Sequence, residues 1–174
     1  MPNTYEGEPT AGSAKFAICV ARYNEHITKR LLDGAIETLT KAGVADDAID
    51  VYWVPGAFEL PVAAAHVIDL KWHAAVICLG AVIRGETTHD QHINTAISSQ
   101  FAALGVRSGI PVLFGVLTCD TLEQAVHRAG GNVGNKGAEC ADAALRMANL
   151  VERIENKDPS GTTPAASRRF GFGG

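Results

Sequence analysis

The order of its apolar segments is the feature of this sequence that most limits the possible fold. Four short runs rich in β-forming residues alternate with longer segments in which apolar residues recur every three to four positions. Runs of the first kind are typical of strands buried on both faces of a parallel sheet, and the longer pattern is typical of amphipathic helices. The predicted strands are 16–21, 51–54, 74–83 and 112–117.

The helical patterns lie between and after these strands. The first is predicted to begin after Asn24, a residue suited to an N-cap, and to stop at Gly43. Because strands that alternate with helices need right-handed crossovers, we expect a three-layer α/β/α sandwich around a four-stranded parallel sheet. The other predicted helices cover 58–70, 89–104, 121–129 and 137–154.

Composition divides the chain into three parts. A length of 174 residues suits one domain, which we place at 15–156. Residues 1–14 are polar, contain Gly and Pro, and show no helical period, so we interpret them as an N-terminal arm. Residues 157–174 form a low-complexity C-terminal tail with a disordered composition.

Charge and hydropathy exclude several classes of protein. The formal net charge of −4 argues against a general binder of nucleic acid or of anionic membranes. No apolar run reaches membrane-spanning length, and the first fifteen residues lack the features of a signal peptide. We therefore expect a cytoplasmic protein that binds neither nucleic acid nor membrane.

The four cysteines show no CxxC spacing. Three lie in or beside apolar runs and one in an alanine-rich helical pattern, so we interpret them as buried, reduced thiols rather than as disulfides or a zinc site.

Polar segments follow each predicted strand. The sequences RYNE, PGAFE, RGETTH and TCDT come directly after the four apolar runs. Ligands of open parallel sheets bind beyond the carboxyl ends of the strands, so these segments predict a site on one rim of the sheet. Ordinary turn chemistry is the alternative explanation.

The RGETTH segment has the elements of an anion site. Gly85 allows a tight turn and Thr88 suits a helix cap, which would leave the backbone N–H groups of Glu86 and Thr87 free beside the Thr87 hydroxyl. Arg128 offers a bidentate grip for a phosphate. From these residues alone, a threonine-capped turn and a solvated arginine stay open as alternatives.

His89 is the histidine best placed for chemistry, because it follows this turn at the start of a helix. A helix N-terminus favours a neutral imidazole, which suits a proton shuttle. A metal site with Asp90 and His92 is the sharper alternative, but no third ligand motif and no HExxH is present. The remaining histidines are predicted to be structural or on the surface: His26, His66, His73, His92 and His127.

Other side chains suit a flat, hydroxylated ligand. Glu59, next to Phe58 at a helix start, can accept hydrogen bonds from a polyol. Tyr23 and Phe114 lie near strand ends and can stack on a heterocycle, although core packing is the usual role of a phenylalanine.

Two glycine-rich segments do not support a nucleotide cofactor. GGNVGNKG lacks the Walker pattern, since Asn135 precedes Lys136 and Gly137 follows it, and GAVIRG does not meet GxGxxG. Lys136 is left free to contact a carbonyl or an anion.

Together these motifs resemble the 6,7-dimethyl-8-ribityllumazine synthase family of riboflavin biosynthesis. The matching pieces are ARYNEHITKRLLDGA, WVPGAFELP, GAVIRGETTH, PVLFGVLT, HRAG and GNKGAECA, which follow one another over about residues 16–152. The pair PGAFE and RGETTH in one chain is very specific to that family. The resemblance also implies a flavodoxin-like strand order.

The resemblance implies a reaction and a site. The family condenses 5-amino-6-(D-ribitylamino)uracil with 3,4-dihydroxy-2-butanone 4-phosphate, releases phosphate and water, and uses no cofactor or metal. His89 would transfer protons, and Glu86, Thr87 and Arg128 would hold the phosphate. Tyr23 would stack on the pyrimidine in a position where phenylalanine or tryptophan is more usual. The resemblance implies that Ala57, Phe58 and Glu59 contact the ribityl chain and the ring. The backbones of Ala81, Val82 and Ile83 would contact the pyrimidine, and Lys136 would lie near the ring or the phosphate. Phe114 and Arg128 would come from a neighbouring subunit.

The resemblance also implies assembly. Family members are pentamers, and in some of them twelve pentamers close into an icosahedral shell that can enclose riboflavin synthase. The N-terminal segment would add to a neighbour's sheet, and the short turn from Arg128 to Lys136 favours the shell. The tail, SRRFGFGG at its end, runs past the usual end of the family, and we hypothesise that it lines the lumen or binds a partner.

Two other classes of function are alternatives. A non-catalytic shell or flavin-binding protein on the same fold would be favoured by loss of His89 or Arg128, and both are present. A phosphate-responsive regulatory domain would need a phosphoacceptor aspartate after the first strand, where ARYNE has none.

Overall fold

The structure, a computed structural model, describes residues 2–156, so the C-terminal tail of the sequence analysis lies outside the described residues. Short 3-10 turns at Asp46–Ala48 and Ala57–Glu59 precede β2 and α2. The main elements are β1 Phe16–Ala21, α1 Glu25–Lys41, β2 Ile49–Val54, α2 Leu60–Asp69, β3 Ala75–Ile83, α3 His89–Ser108, β4 Val112–Cys119, α4 Leu122–Arg128, β5 Ala129–Gly131, β6 Gly134–Asn135 and α5 Lys136–Glu155.

The central sheet has the strand order β2-β1-β3-β4, and all of its strands are parallel. β1 is in register with both neighbours, pairing Phe16 with Ile49 on one side and with Ala75 on the other. β2 and β4 are therefore the two edges of this sheet. The predicted three-layer α/β/α fold with flavodoxin-like order is confirmed.

Alternation along β1 explains the layers. Phe16, Ile18 and Val20 point into a core formed with α1 and α5, whereas Ala17 and Cys19 point into a second core formed with α2 and α3. A strand buried on both faces has no solvent side, which is why β1 and β3 are apolar throughout.

The helix predicted over 58–70 is two elements, a 3-10 turn at Ala57–Glu59 followed by α2 from Leu60. Pro61 explains the division. Because proline has no N–H, it cannot donate to the carbonyl four residues earlier and is accommodated in the first turn of a helix.

Three other boundaries differ from the prediction by two residues or more, and the first is the start of β2, at Ile49 rather than at residue 51. β4 continues to Cys119, so Thr118 and Cys119 belong to the strand and not to the loop after it. α3 runs four residues further, to Ser108, and ends at Gly109, whose φ of 71° is left-handed.

Residues 2–15 include no helix or strand, and part of this segment packs on α5 of its own chain. Gly7 is buried, the backbone N–H of Glu8 donates to Asn149 Oδ1 at 3.0 Å, and Arg153 donates to the Glu6 carbonyl. Addition of the arm to a neighbour's sheet stays a prediction.

The cysteines are free and buried, which confirms the expectation of reduced thiols. A hydrogen bond with Cys19 and burial raise the pKa of Cys78 well above its ordinary value. Burial raises the pKa of Cys140 to about 11. Thiols held in this way are poor nucleophiles. No helix within residues 2–156 has the length and apolarity to cross a membrane.

Candidate functional site

The loop after β1 is held against the end of β2. The backbone N–H of Arg22 donates to the Val54 carbonyl at 2.8 Å, and that of Tyr23 donates to the Pro55 carbonyl at 3.0 Å. The Arg22 guanidinium also lies 4.7 Å from the centroid of the Trp53 ring. This framework leaves the Tyr23 side chain 73% exposed at the carboxyl rim of the sheet.

The 3-10 turn brings a second aromatic side chain to the same rim. This turn packs against β1, β3 and α3, with Ala57 buried and with Phe58 and Glu59 exposed. Phe58 is 59% exposed. Tyr23 and Phe58 are thus two exposed aromatic side chains at the carboxyl rim of the sheet.

The end of β3 extends beyond its pairing with β1. β1 pairs with β3 only as far as Leu79, while β4 follows β3 to Ile83. The Arg84 N–H donates to Cys119 in β4, so alternation turns the peptide groups of Ala81 and Ile83 away from β4, and those of Val82 toward it. The Ala81 carbonyl accepts a hydrogen bond at 2.9 Å from Nδ2 of Asn24.

The RGETTH loop lies at the carboxyl end of β3, as predicted. Glu86, Thr87 and His89 are exposed, and His89 is the first residue of α3. Thr88 occupies the N-cap position but makes no capping hydrogen bond with its side chain, and Thr87 Oγ1 accepts from the His89 N–H at 3.4 Å. The prediction that Thr88 caps the helix is wrong in this respect, because the hydroxyl that bonds there is that of Thr87.

We call these residues the rim cluster. They come from three stretches of the chain, at residues 23, 57–59 and 81–89, which lie at the carboxyl edge of the sheet, where parallel sheets bind ligands. The rim cluster comprises Tyr23, Ala57, Phe58, Glu59, Ala81, Val82, Ile83, Glu86, Thr87 and His89. Within residues 2–156, no group of three or more His, Cys, Asp or Glu side chains could hold a metal ion.

A cavity of about 480 Å³ lies beside β4, and we call it the β4 cavity. Four consecutive residues of β4 line it. Since successive side chains of a strand point to opposite faces, the cavity follows the free edge of the sheet. Its lining is Val116, Leu117, Thr118, Cys119, Gln124, His127, Arg128, Val133 and Lys136, which brings together two predicted site residues, Arg128 and Lys136.

The hairpin of β5 and β6 explains why the glycine-rich segment belongs to this cavity. β5 and β6 pair antiparallel after α4, and the chain then enters α5 at Lys136. Asn135 caps α5, accepting from the N–H groups of Gly137 at 2.9 Å and Ala138 at 3.2 Å. The N–H groups that a phosphate loop would offer are thus used by a helix cap, and Lys136 is positioned at the cavity.

The structure does not bring Phe114 into either group. Its partner in β3 is Cys78, three residues before Ala81, and it does not line the β4 cavity. Phe114 packs against Phe101 of α3 with ring centroids 5.8 Å apart, and it is 40% exposed.

The sequence analysis assigns neither Asn24 nor His127 to the candidate site. The sequence predicts Asn24 as a helix cap, but its side chain makes no capping hydrogen bond and instead donates to the Ala81 carbonyl. His127 was assigned to the surface or to a structural role, yet it lines the β4 cavity beside Arg128. Its position next to Arg128 in HRAGG was the signal that could have identified it.

A comparison with protein families identifies the family of this chain. The family model of 6,7-dimethyl-8-ribityllumazine synthase matches residues 13–152. The chain belongs to this family. The match includes both groups of the site and each strand of the central sheet. The lumazine synthase family consists of enzymes of riboflavin biosynthesis, with small-molecule substrates and oligomeric assembly.

Proposed function

We propose that the protein is a transferase that condenses 5-amino-6-(D-ribitylamino)uracil with 3,4-dihydroxy-2-butanone 4-phosphate. The products are 6,7-dimethyl-8-ribityllumazine, phosphate and water. The observation that carries this proposal is the position of His89, exposed at the start of α3 within a rim cluster that belongs to a lumazine synthase domain.

The pyrimidine substrate fits the aromatic side of the rim cluster. Tyr23 would stack on its ring, and the peptide groups of Ala81 and Ile83 that face away from β4 would form hydrogen bonds with its polar edge. The exposed Glu59 carboxylate would accept hydrogen bonds from the ribityl hydroxyls, with Ala57 and Phe58 beside the chain. Hydroxyl donors on a carboxylate give strong, charge-assisted hydrogen bonds.

The phosphorylated ketone needs a cationic site. Glu86 and Thr87 would contribute backbone N–H groups at the start of α3. Arg128 and Lys136, which the β4 cavity brings together, would supply the positive charge. Lys136 Nζ lies 3.0 Å from Glu139 Oε2, so this ion pair would have to loosen for the lysine to reach the anion.

His89 would move the protons. The amine of the pyrimidine attacks the ketone and loses water to form an imine, the phosphate leaves, and a second attack with loss of water closes the ring. Each step transfers a proton near one imidazole, and no side chain need form a covalent bond. Holding the two substrates together would supply much of the rate enhancement.

The site would be completed between two subunits. β4 is an edge strand with an open cavity beside it, and Phe114 is exposed on that strand away from its own rim cluster. A neighbouring subunit that presents Phe114, Arg128 and Lys136 to the rim cluster would close the site. We propose a pentamer, with twelve pentamers in a shell that can enclose riboflavin synthase, and an N-terminal arm that pairs with the free edge of a neighbour's β2.

Absorbance of the lumazine product tests this proposal directly. The assembled protein is mixed with both substrates, beside His89→Ala and Arg128→Ala variants. The proposal is supported if the wild-type protein forms product well above the spontaneous rate and both variants form it more slowly. The role of Arg128 is supported if Arg128→Ala has the weakest apparent affinity for the phosphorylated ketone. A folded, assembled protein that gives no acceleration would be a binding or packaging protein on the same fold.

A further inference from the structure

His127 lies where it can change the charge of the β4 cavity. It is in the last turn of α4, next to Arg128, and both side chains line the cavity with Lys136. About a third of the His127 side chain is exposed, and its Nε2 lies 3.6 Å from Glu123 Oε1. Histidine is the side chain that ordinarily changes its charge between about pH 5 and pH 8.

Two cations and two carboxylates beside this cavity balance one another in charge. Arg128 and Lys136 are opposed by Glu123, beside His127, and by Glu139, beside Lys136. With a neutral His127 these four side chains have no net charge, and a protonated His127 leaves the group with an excess positive charge.

The other elements packed against α4 add no compensating charge. From β4 the cavity receives the Cys119 thiol, whose pKa is raised by burial, so it stays neutral. β5, β6 and β3 contain no charged residue. Asp120, at the end of β4, is opposed by Arg84 at 3.6 Å. These elements therefore do not offset a positive charge placed on His127.

We propose that His127 is a specificity-determining residue whose protonation strengthens the binding of the substrate's phosphate group in the β4 cavity. This inference rests on the proposed function, in which Arg128 holds that phosphate. A protonated imidazole places a second cation and a second N–H donor beside the guanidinium, and charge-assisted hydrogen bonds are the strongest that a phosphate can receive. The exposed Glu123 carboxylate can accept the N–H of a protonated His127 in place of the phosphate, which limits the gain.

Binding of sulfate to the assembled full-length protein tests the inference. Sulfate is a dianion throughout this pH range, so any change in its affinity reports the protein and not the ligand. We expect the affinity of the wild-type protein to rise about threefold to tenfold from about pH 8 to about pH 5.5, as one partly exposed charge would produce. Isothermal titration calorimetry measures this affinity.

Two substitutions separate charge from shape. His127→Gln should bind weakly and remove most of the pH dependence, whereas His127→Lys should bind tightly at both pH values. At about pH 8, where the phosphate ester is a dianion, the KM for the phosphorylated ketone should be lower for His127→Lys than for His127→Gln. The KM for the pyrimidine should be the same for both variants, a result that a purely structural role would not produce.

The outcomes distinguish this inference from the proposed function. In one outcome, sulfate binds the wild-type protein, Arg128→Ala abolishes this binding, and His127→Gln keeps the wild-type pH dependence. The role of His127 is then overturned, whereas the phosphate site at Arg128 is supported. If neither sulfate nor inorganic phosphate binds the wild-type protein at any pH, the phosphate site itself is wrong, and the inference fails with it.

Discussion

Asn24 donates a hydrogen bond of 2.9 Å from its side-chain Nδ2 to the carbonyl oxygen of Ala81. Its backbone is left-handed, with a φ of 60°, a conformation that asparagine tolerates better than most residues. The bond joins the loop after β1 to the end of β3, so it sets the position of Tyr23 relative to the end of β3. A residue that resembles a helix cap in the sequence is thus a brace across the rim cluster.

Two substitutions of Asn24 should separate the hydrogen bond from the backbone conformation. Asn24→Ala loses the bond and strains the left-handed backbone, so we expect unfolding free energy to fall by about 1–3 kcal/mol. Asn24→Gly loses only the bond and should cost less. Both should raise the KM for the pyrimidine and leave the KM for the phosphorylated ketone near its wild-type value. Urea unfolding and steady-state kinetics check this, and unchanged pyrimidine KM values would contradict the bracing role.

Subunit mixing should show whether the rim cluster and the β4 cavity of different chains form one site. His89→Ala and Arg128→Ala subunits, each nearly inactive alone, are unfolded, mixed in equal amounts and reassembled. If each site takes His89 from one chain and Arg128 from its neighbour, about a quarter of the sites regain both residues. The rate of lumazine formation measures the recovery.

A matched mixture serves as the control. His89 and Glu59 both belong to the rim cluster, and His89→Ala subunits are mixed with Glu59→Ala subunits. If the rim cluster were divided between chains, about a quarter of the sites in this mixture would contain both wild-type residues. We expect no recovery there. No recovery in the first mixture, from assemblies of normal size, would place His89 and Arg128 in the same chain.

Gly137 should be intolerant of any side chain. A Cβ at this position would lie 1.9 Å from the carbonyl oxygen of Leu31, where α5 crosses close to α1. We expect Gly137→Ala to lower the free energy of unfolding by at least about 2 kcal/mol, because two helix backbones must separate. Gly105→Ala in α3 is the control, since its nearest neighbour is 3.7 Å away, and it should be neutral or stabilising by up to about 1 kcal/mol. Chemical denaturation measures both, and equal stabilities would refute the close helix contact.

Cys140 should make the protein less stable at high pH. Burial raises its pKa from 9.0 to about 11, so the folded state disfavours the thiolate. The stability gained from keeping this thiol neutral is complete below about pH 9 and is lost as pH rises through about 11. The loss is on the order of 2 kcal/mol. Unfolding free energies at several pH values should fall more steeply over this range for the wild type than for Cys140→Ala, and equal slopes would count against the assignment.

The sequence by itself determined the order of strands and helices and the place of the RGETTH loop. These features depend on residues that are neighbours in the chain, such as the apolar run of β3 and the polar turn directly after it. Periodicity reports burial on one or both faces, so the layer on each side of β1 followed from the pattern. The boundary of α2 was predicted less accurately, because periodicity does not show that Pro61 separates a 3-10 turn from the helix.

Only the tertiary structure decided which of these segments meet. Asn24 and Ala81 are 57 positions apart, and they come together because β1 lies beside β3 in the order β2-β1-β3-β4. His127 belongs to a cavity because β4 is an edge strand and the hairpin before α5 turns Lys136 toward it. Local periodicity specifies how each element is buried, but not which element lies next to it, so the division of the predicted site into a rim cluster and a β4 cavity had to come from the fold.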